Sequence, residues 1–322
     1  MLYPLKFKPL YKERIWGGQR LASAMGKKVP EGVKIGESWE ISGVEGDVSV
    51  VANGCLKGND LQELIEVYMG DLVGEKIYDR YGLEFPVLIK LIAAEDVLSI
   101  QVHPDDRLAE ERHHSYGKTE MWYVIAAEPG ASLYVGFNRQ VTRQEYLDAV
   151  AAGTLPSLLN KVEVKAGDAY FIPAGTVHAI GKGLLIAEIQ QTSDITYRVD
   201  DWGRVGADGK PRELHTELAV DAIDFGAPQN YDVTSAPVLN TPVQIKECPY
   251  FTTNVIQIHG MVERDFTRLD SFVIYICLGG ELQVRGAEGS TSLVRGETTL
   301  VPAEEEEIVL EGQGTVLEVY IC

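Results

Sequence analysis

Cysteine is scarce and scattered. Cys55, Cys248, Cys277 and Cys322 are the four in the chain, and none forms a CxxC pair. Nothing here builds a disulfide framework, so a reducing, cytoplasmic setting is expected. Cys277 lies in an apolar run and reads as a buried thiol. Long apolar runs are also missing. No segment approaches the roughly 20 apolar residues of a membrane span, and the start, Met1 to Lys8, has no long apolar region. Positive charge is in deficit: 29 Lys and Arg face 48 Asp and Glu, a net charge of -19. That argues against nucleic acid and anionic membranes as partners. A small anionic substrate stays open, provided basic residues gather locally.

What the chain does have is enough apolar content, 45%, for a sizeable core. Its 322 residues suit two domains. Strands are expected over Ile35 to Ser42, Val48 to Val51, Phe85 to Ala93, Leu98 to His103, Met121 to Ala127 and Leu184 to Gln190. Helices are expected over Asp60 to Leu72, Thr142 to Ala152 and Pro211 to Phe225. Asp60 and Thr142 serve as N-caps, with Glu145 at the capping-box position and Gly153 as the stop. In the third helix Leu214, Leu218, Ala219 and Ala222 would share the buried face. The turn-rich stretch after Phe225, with Pro228, Pro237 and Pro242, reads as a linker. Phe251 to Cys322 reads as short strands between glycine turns. The domains are therefore placed at 1–235 and 236–322.

The most telling stretch is Ser99-Ile100-Gln101-Val102-His103-Pro104-Asp105. Side chains alternate along a strand, so Gln101 and His103 point the same way. Glu120 opens the next strand, and His178 ends a strand-turn segment that starts at Ala169. Two imidazoles, a carboxylate and an amide oxygen from different strands would make a divalent-metal site of the kind that suits zinc or iron. The chain also echoes itself. Val164 to Ala174 resembles Leu293 to Ala303, each a turn, a strand and a Pro-Ala corner. In register, the first copy continues to His178 and the second to Glu307, so the second domain has lost a ligand. His259, in Ile256-Gln257-Ile258-His259, imitates His103 but reads as structural. His113-His114 reads as part of a polar loop over the site, since neighbours on a strand cannot ligate together.

The segment Gly167-Asp168 … Pro173-Ala174-Gly175-Thr176-Val177-His178 resembles the second motif of the cupins, the double-stranded β-helix family. With Gln101-Val102-His103-Pro104-Asp105, Lys118-Thr119-Glu120 and Thr196-Tyr197-Arg198-Val199-Asp200, the chain resembles the zinc-dependent type I mannose-6-phosphate isomerases, in their compact bacterial form. Glu13-Arg14-Ile15-Trp16-Gly17-Gly18 and Gly36-Glu37-Ser38-Trp39-Glu40-Ile41-Ser42 resemble that family's N-terminal patterns.

The resemblance implies a mainly β cupin-type jelly roll with a few helices, plus a second, smaller and degenerate β-domain. It implies one Zn²⁺ per chain on Gln101, His103, Glu120 and His178. It implies interconversion of mannose 6-phosphate and fructose 6-phosphate through a cis-enediol. Arg198 matches the family's active-site arginine, able to stabilise the enediolate; its bland alternative is a salt bridge with Asp200 or Asp201. Lys118 and Glu188 are equal candidates for moving the proton. Ser99, Lys90 and Arg204 are the phosphate candidates, with Arg204 where relatives can carry lysine. Trp16, Trp39, Trp122 and Trp202 line a sugar site or pack corners. The partner is a small sugar phosphate, with the chain a monomer or small homo-oligomer. Two other readings are a non-haem iron cupin oxygenase with His103, Glu120 and His178 as its facial triad, and a non-catalytic sugar-binding cupin.

Overall fold

The computed structural model describes residues 2–206 and 209–322. All strand pairing within its three sheets is antiparallel, and two of the sheets face each other to form the first jelly roll. One carries Leu10–Gly18, Ile35–Ile41, Val87–Ala94, Leu184–Gln191, Glu120–Ala127 and Ala169–Ile172, in that order. The other carries Tyr197–Asp200, Ile100–Val102, His178–Ile180, Ser132–Phe137 and Leu159–Glu163. The third sheet belongs to the C-terminal domain. The mainly β, cupin-type architecture is therefore as expected. No helix among the described residues is long and apolar enough to cross a membrane.

Apolar residues on the buried faces explain the packing. Val87–Ala94 and Leu184–Gln191 are buried at every position, as central strands covered on both sides must be. The largest core joins both domains: Leu2 and Leu5 pack in one cluster with Phe272, Ile274 and Leu317. Leu5 also exchanges backbone hydrogen bonds with Leu300, at 2.7 and 2.8 Å. The four cysteines are all free, and Cys277 is buried.

Local capping works where it was expected. Asp60 and Glu63 close a capping box on Leu61–Tyr68, and Thr142 and Glu145 close another on Arg143–Ala151. Several expectations need correction. The helix after Asp60 breaks at Met69, which takes a φ of 45°, and resumes as Gly70–Val73. Val48 to Val51 contributes only isolated bridges. The third helix spans only Thr216–Ala222. Residues before it are tied to the Tyr197–Asp200 strand: Glu213 accepts from Arg198 Nη1, and His215 N–H donates to the Arg198 carbonyl. Leu214 and Leu218 are consequently exposed, and Ala219, Val220 and Ile223 form the buried face. His113 is the last residue of a helix, Asp106–His113, and bonds the Tyr197 hydroxyl rather than sitting in a loop.

The C-terminal strands are long, not short. Thr252–Asp265, Val273–Arg285 and Glu307–Tyr320 each fold over at glycine. Gly260 pairs Gly312 and Gly280 pairs Gly314, so the bends stand side by side. At Gly280, φ is +87° and a Cβ would meet the Gln313 carbonyl at 2.0 Å, so only glycine fits. The internal repeat is real in shape: Gly167 and Gly296 share positive φ, 93° and 85°, before matching short strands. Glu307, where the first copy has His178, is exposed, and so is His259.

The C-terminal core holds a buried charge pair, Arg264 with Glu318. Glu318 is fully buried and accepts from Arg264 Nε and Nη2 at 2.8 and 2.9 Å, Asn254 at 2.9 Å and Tyr275 at 3.0 Å. Removing one partner strands a buried charge. Arg264→Met should lower unfolding stability by about 3–5 kcal/mol, and adding Glu318→Met should recover much of it. Denaturant unfolding of both variants checks this; equal losses would contradict it.

Candidate metal centre and substrate cleft

Strand register places the site. Trp39 pairs Lys90, Lys90 pairs Glu188, and Glu188 pairs Trp122, so all four project from one face of the first sheet. Glu120 and Gln190 form the next rung on that face. Across the gap, Arg198 pairs Gln101 and Gln101 pairs His178. The functional side chains therefore meet between the two sheets.

At the floor, His103, Glu120 and His178 are each about 1% exposed, and their ligand-type atoms lie within 4.8 Å of one another. Glu120 Oε2 is 3.5 Å from His103 Nε2, and Oε1 is 3.3 Å from His178 Nε2. Each imidazole is fixed by a backbone carbonyl: His103 Nδ1–H donates to Ile195 at 2.9 Å, and His178 Nδ1–H donates to Thr176 at 2.8 Å. Both Nε2 lone pairs consequently aim at the centre. Burial, with Lys118 adding to it, holds His103 well below the usual imidazole range. Burial outweighs the Thr176 bond and brings His178 down to about 4. Both are neutral at physiological pH, as ligands must be.

Neither Glu120 oxygen nor His103 Nε2 has a hydrogen-bond partner. Burial, then the nearby Glu188 charge, lifts the Glu120 carboxyl to about 8 against the pull of Lys118 and Lys90. These buried groups face one point with no hydrogen bond made, and they fit a divalent cation, which would hold Glu120 ionised and satisfy all three atoms at once. Gln101 completes the ring of four, its carboxamide 3.3 Å from His178 Nε2. The nitrogen faces inward here; a turn of the amide presents the oxygen.

Above the floor opens a cavity of about 350 Å³. Its cations include Arg14, Lys90, Lys118, Arg198 and Arg212. Most are already paired. Arg14 bonds Glu37 at 2.8 Å, and Lys118 Nζ lies 3.4 Å from Glu120. Lys90 bonds Glu188 at 3.0 Å and Gln190 at 2.5 Å, and Arg212 bonds Asp201 at 2.5 Å. Arg198 differs. Its Nη1 donates to the Glu213 carbonyl at 2.9 Å, its Nε is buried with no partner, and no ion pair holds it among the described residues. The salt bridge with Asp200 or Asp201 does not form, because Arg204 and Arg212 take Asp201.

The other expected residues are spread more widely. Ser99 lines the cavity beside Gln101. Lys118 lines it too, although it precedes the Glu120–Ala127 strand rather than lying within it. Glu188 is locked: Lys90 holds Oε1, and Trp122 Nε1–H donates to Oε2 at 2.8 Å. Burial alone would raise its pKa, but Lys90 and Lys118 prevail and hold it low. Arg204 turns from the cavity to the Val97 carbonyl and Asp201. Trp16 and Trp39 line the cavity, Trp122 stands behind Glu188, and Trp202 caps the Leu98 carbonyl. Sequence reasoning gave no role to Arg14, Glu37 or Arg212. Arg14 was findable as the same-face neighbour of Trp16; Arg212, in a loop, had no local signal.

Fold and site together define a cupin with a buried His-His-Glu centre under a cation-lined cleft. Comparisons with known proteins narrow this. Residues 4–124 match the model for the phosphomannose isomerase type I catalytic domain, and residues 242–321 match that for the mannose-6-phosphate isomerase cupin domain. A mannose-6-phosphate isomerase of Streptococcus mutans is 38% identical, over 94% of this chain and 93% of its own. The Bacillus subtilis mannose-6-phosphate isomerase ManA is 37% identical over 96% of both chains. A crystal structure of a Bacillus subtilis mannose 6-phosphate isomerase superposes with a TM-score of 0.85 at 32% identity, covering 99% of this chain and 100% of that one. The chain belongs to the type I mannose-6-phosphate isomerase family.

Glu37 shows how much charge the cleft stores. Burial would raise its pKa, but Lys90 and Arg14 bring it down to about 2. A depressed folded value contributes stability above the unfolded value, lost as pH falls through the folded one. With an ordinary value near 4.5, the contribution is about 3 kcal/mol at neutral pH. Glu37→Gln should therefore be less stable by that order at pH 7, with the gap closing toward pH 2. Urea unfolding across pH checks this; a pH-independent gap would contradict it.

Proposed function

We infer that the protein is an aldose-ketose isomerase that interconverts mannose 6-phosphate and fructose 6-phosphate. Family membership supports the reaction. The observation that supports it in this chain is a buried His-His-Glu centre whose Glu120 oxygens and His103 Nε2 make no hydrogen bond, beside an arginine at the cleft wall that has no carboxylate partner among the described residues. An iron oxygenase or a sugar-storage protein has no need of that cationic wall.

We propose one zinc ion per chain, held by Gln101, His103, Glu120 and His178. Neutral imidazoles with oxygen donors suit zinc, and hard oxygen ligands with room above them for a water or sugar hydroxyl suit a catalytic, open site. When bound, the cation supplies Lewis-acid polarisation of sugar oxygens. The rest falls to the chain's own groups. The open-chain aldose must lose its C2 proton and gain one at C1, passing through a cis-enediol. Lys118 is favoured as the proton carrier over Glu188. Both Glu188 oxygens are occupied and its basicity is lowered, which suits a fixed anion that orients Lys90 and the substrate. Arg198, with an uncommitted Nε, stabilises the developing oxyanion. The phosphate is read onto Ser99, with Lys90 and Arg204 as second contributors through field rather than contact, since carboxylates already hold both. The domain division at 1–235 and 236–322 and a cytoplasmic setting complete the proposal, with the C-terminal β-domain in a supporting role.

Two variants test it. His178→Ala should lose bound metal, read by elemental analysis, and abolish isomerisation. Arg198→Ala should keep the metal and lower kcat about 10²–10³-fold. Full activity in a metal-free His178→Ala protein, or unchanged turnover in Arg198→Ala, would overturn the assignment.

A further inference from the structure

A second cavity, about 380 Å³, opens where the two domains meet. Its walls come from the Lys6–Tyr11 segment, the end of the Arg20–Met25 helix, and the Val294–Thr298 turn of the C-terminal domain. The seam is tight: at Gly296 a Cβ would stand 2.4 Å from the Met25 carbonyl. One strand separates this cavity from the catalytic cleft. Along Ile35–Ile41, Glu37 and Trp39 face the cleft, while Glu40 faces the second cavity. Alternation along a strand makes the two sites distinct.

The lining has a definite chemistry. Phe7, Tyr11 and Met25 supply an apolar wall. Glu40 is matched by Lys27 at 2.6 Å, and Glu297 by Lys6 at 2.6 Å. That leaves Lys28 and Arg295 at the rim with no carboxylate partner among the described residues, a local surplus of two positive charges in a chain of net charge -19. Thr298, 5% exposed, closes the cavity on the inner side. Cavities of this size at domain seams, apolar with a few convergent polar groups, are the usual form of a small-molecule site.

We propose that this cavity is a second ligand site, for a small organic anion with a compact apolar body. Its anionic group meets Lys28 and Arg295, and its body lies against Phe7, Tyr11 and Met25. The test uses 1-anilinonaphthalene-8-sulfonate, an apolar ring system with one sulfonate, titrated by fluorescence into the full chain. The expected result is saturable binding of one probe per chain, at least tenfold weaker in Arg295→Glu and in Lys28→Glu. Arg198→Ala, which alters only the catalytic cleft, should leave probe binding unchanged. Both rim residues are exposed, so the charge reversals should keep wild-type thermal unfolding and turnover. Absent or non-saturating binding, binding indifferent to both charge reversals, or binding lost in Arg198→Ala would overturn the proposal.

Discussion

The structure depends on holding like and unlike charges at close quarters, most of them buried, between two sheets. Isolated carboxylates and ammonium groups in that gap would be prohibitively costly. The chain answers with a ladder of opposite signs: Arg14 on Glu37, Lys90 on Glu188, and Lys118 beside Glu120. Indole N–H groups supply the remaining donors, Trp39 to Glu37 at 2.7 Å and Trp122 to Glu188 at 2.8 Å. The ladder ends at Glu120, whose oxygens lie 3.3 and 3.5 Å from the two imidazole Nε2 atoms and have only the Lys118 ammonium, 3.4 Å away, as a neighbouring cation. That unfinished end is where a cation belongs.

The same ladder explains which groups are left to act. A cation in a tight pair orients its partner and shapes the field, but it meets a substrate only by giving up that bond. Lys90, Arg14 and Arg212 are in that position. Arg198 is not, and its place opposite Gln101 in the paired strands sets it beside the ligand ring. The surrounding acidity has a use as well: a few fixed cations in a cleft of a strongly acidic protein focus attraction for an anionic sugar at one spot.

Much of this was legible in the sequence. Strand alternation put Gln101 and His103 on one face, and the Pro-Ala-Gly-Thr-Val-His corner carried His178 toward them. Side-chain caps at Asp60 and Thr142 marked two helix starts because capping is local chemistry. The losses were tertiary. The segment from Leu214 to Leu218 has helical spacing, but hydrogen bonds between Arg198 and residues 213 and 215 tie its first part to the neighbouring strand and out of the helix. The C-terminal strands looked short because glycine reads as a turn, whereas at Gly260 and Gly280 it bends a continuous strand. Arg204 looked like a phosphate ligand by its place in a motif, yet Asp201, three residues earlier, draws it away. Arg212 entered the cleft from a loop whose course no periodicity describes.

The central claim is that the centre formed by His103, Glu120 and His178, with Gln101, takes a divalent metal and that sugar-phosphate isomerisation depends on it. The most direct measurement is conversion of mannose 6-phosphate to fructose 6-phosphate by protein stripped with a chelator, then reloaded with zinc or iron while bound metal is counted. The account predicts loss of activity on stripping and its return with about one zinc per chain. Full activity in the stripped protein, or recovery with iron alone, would contradict it.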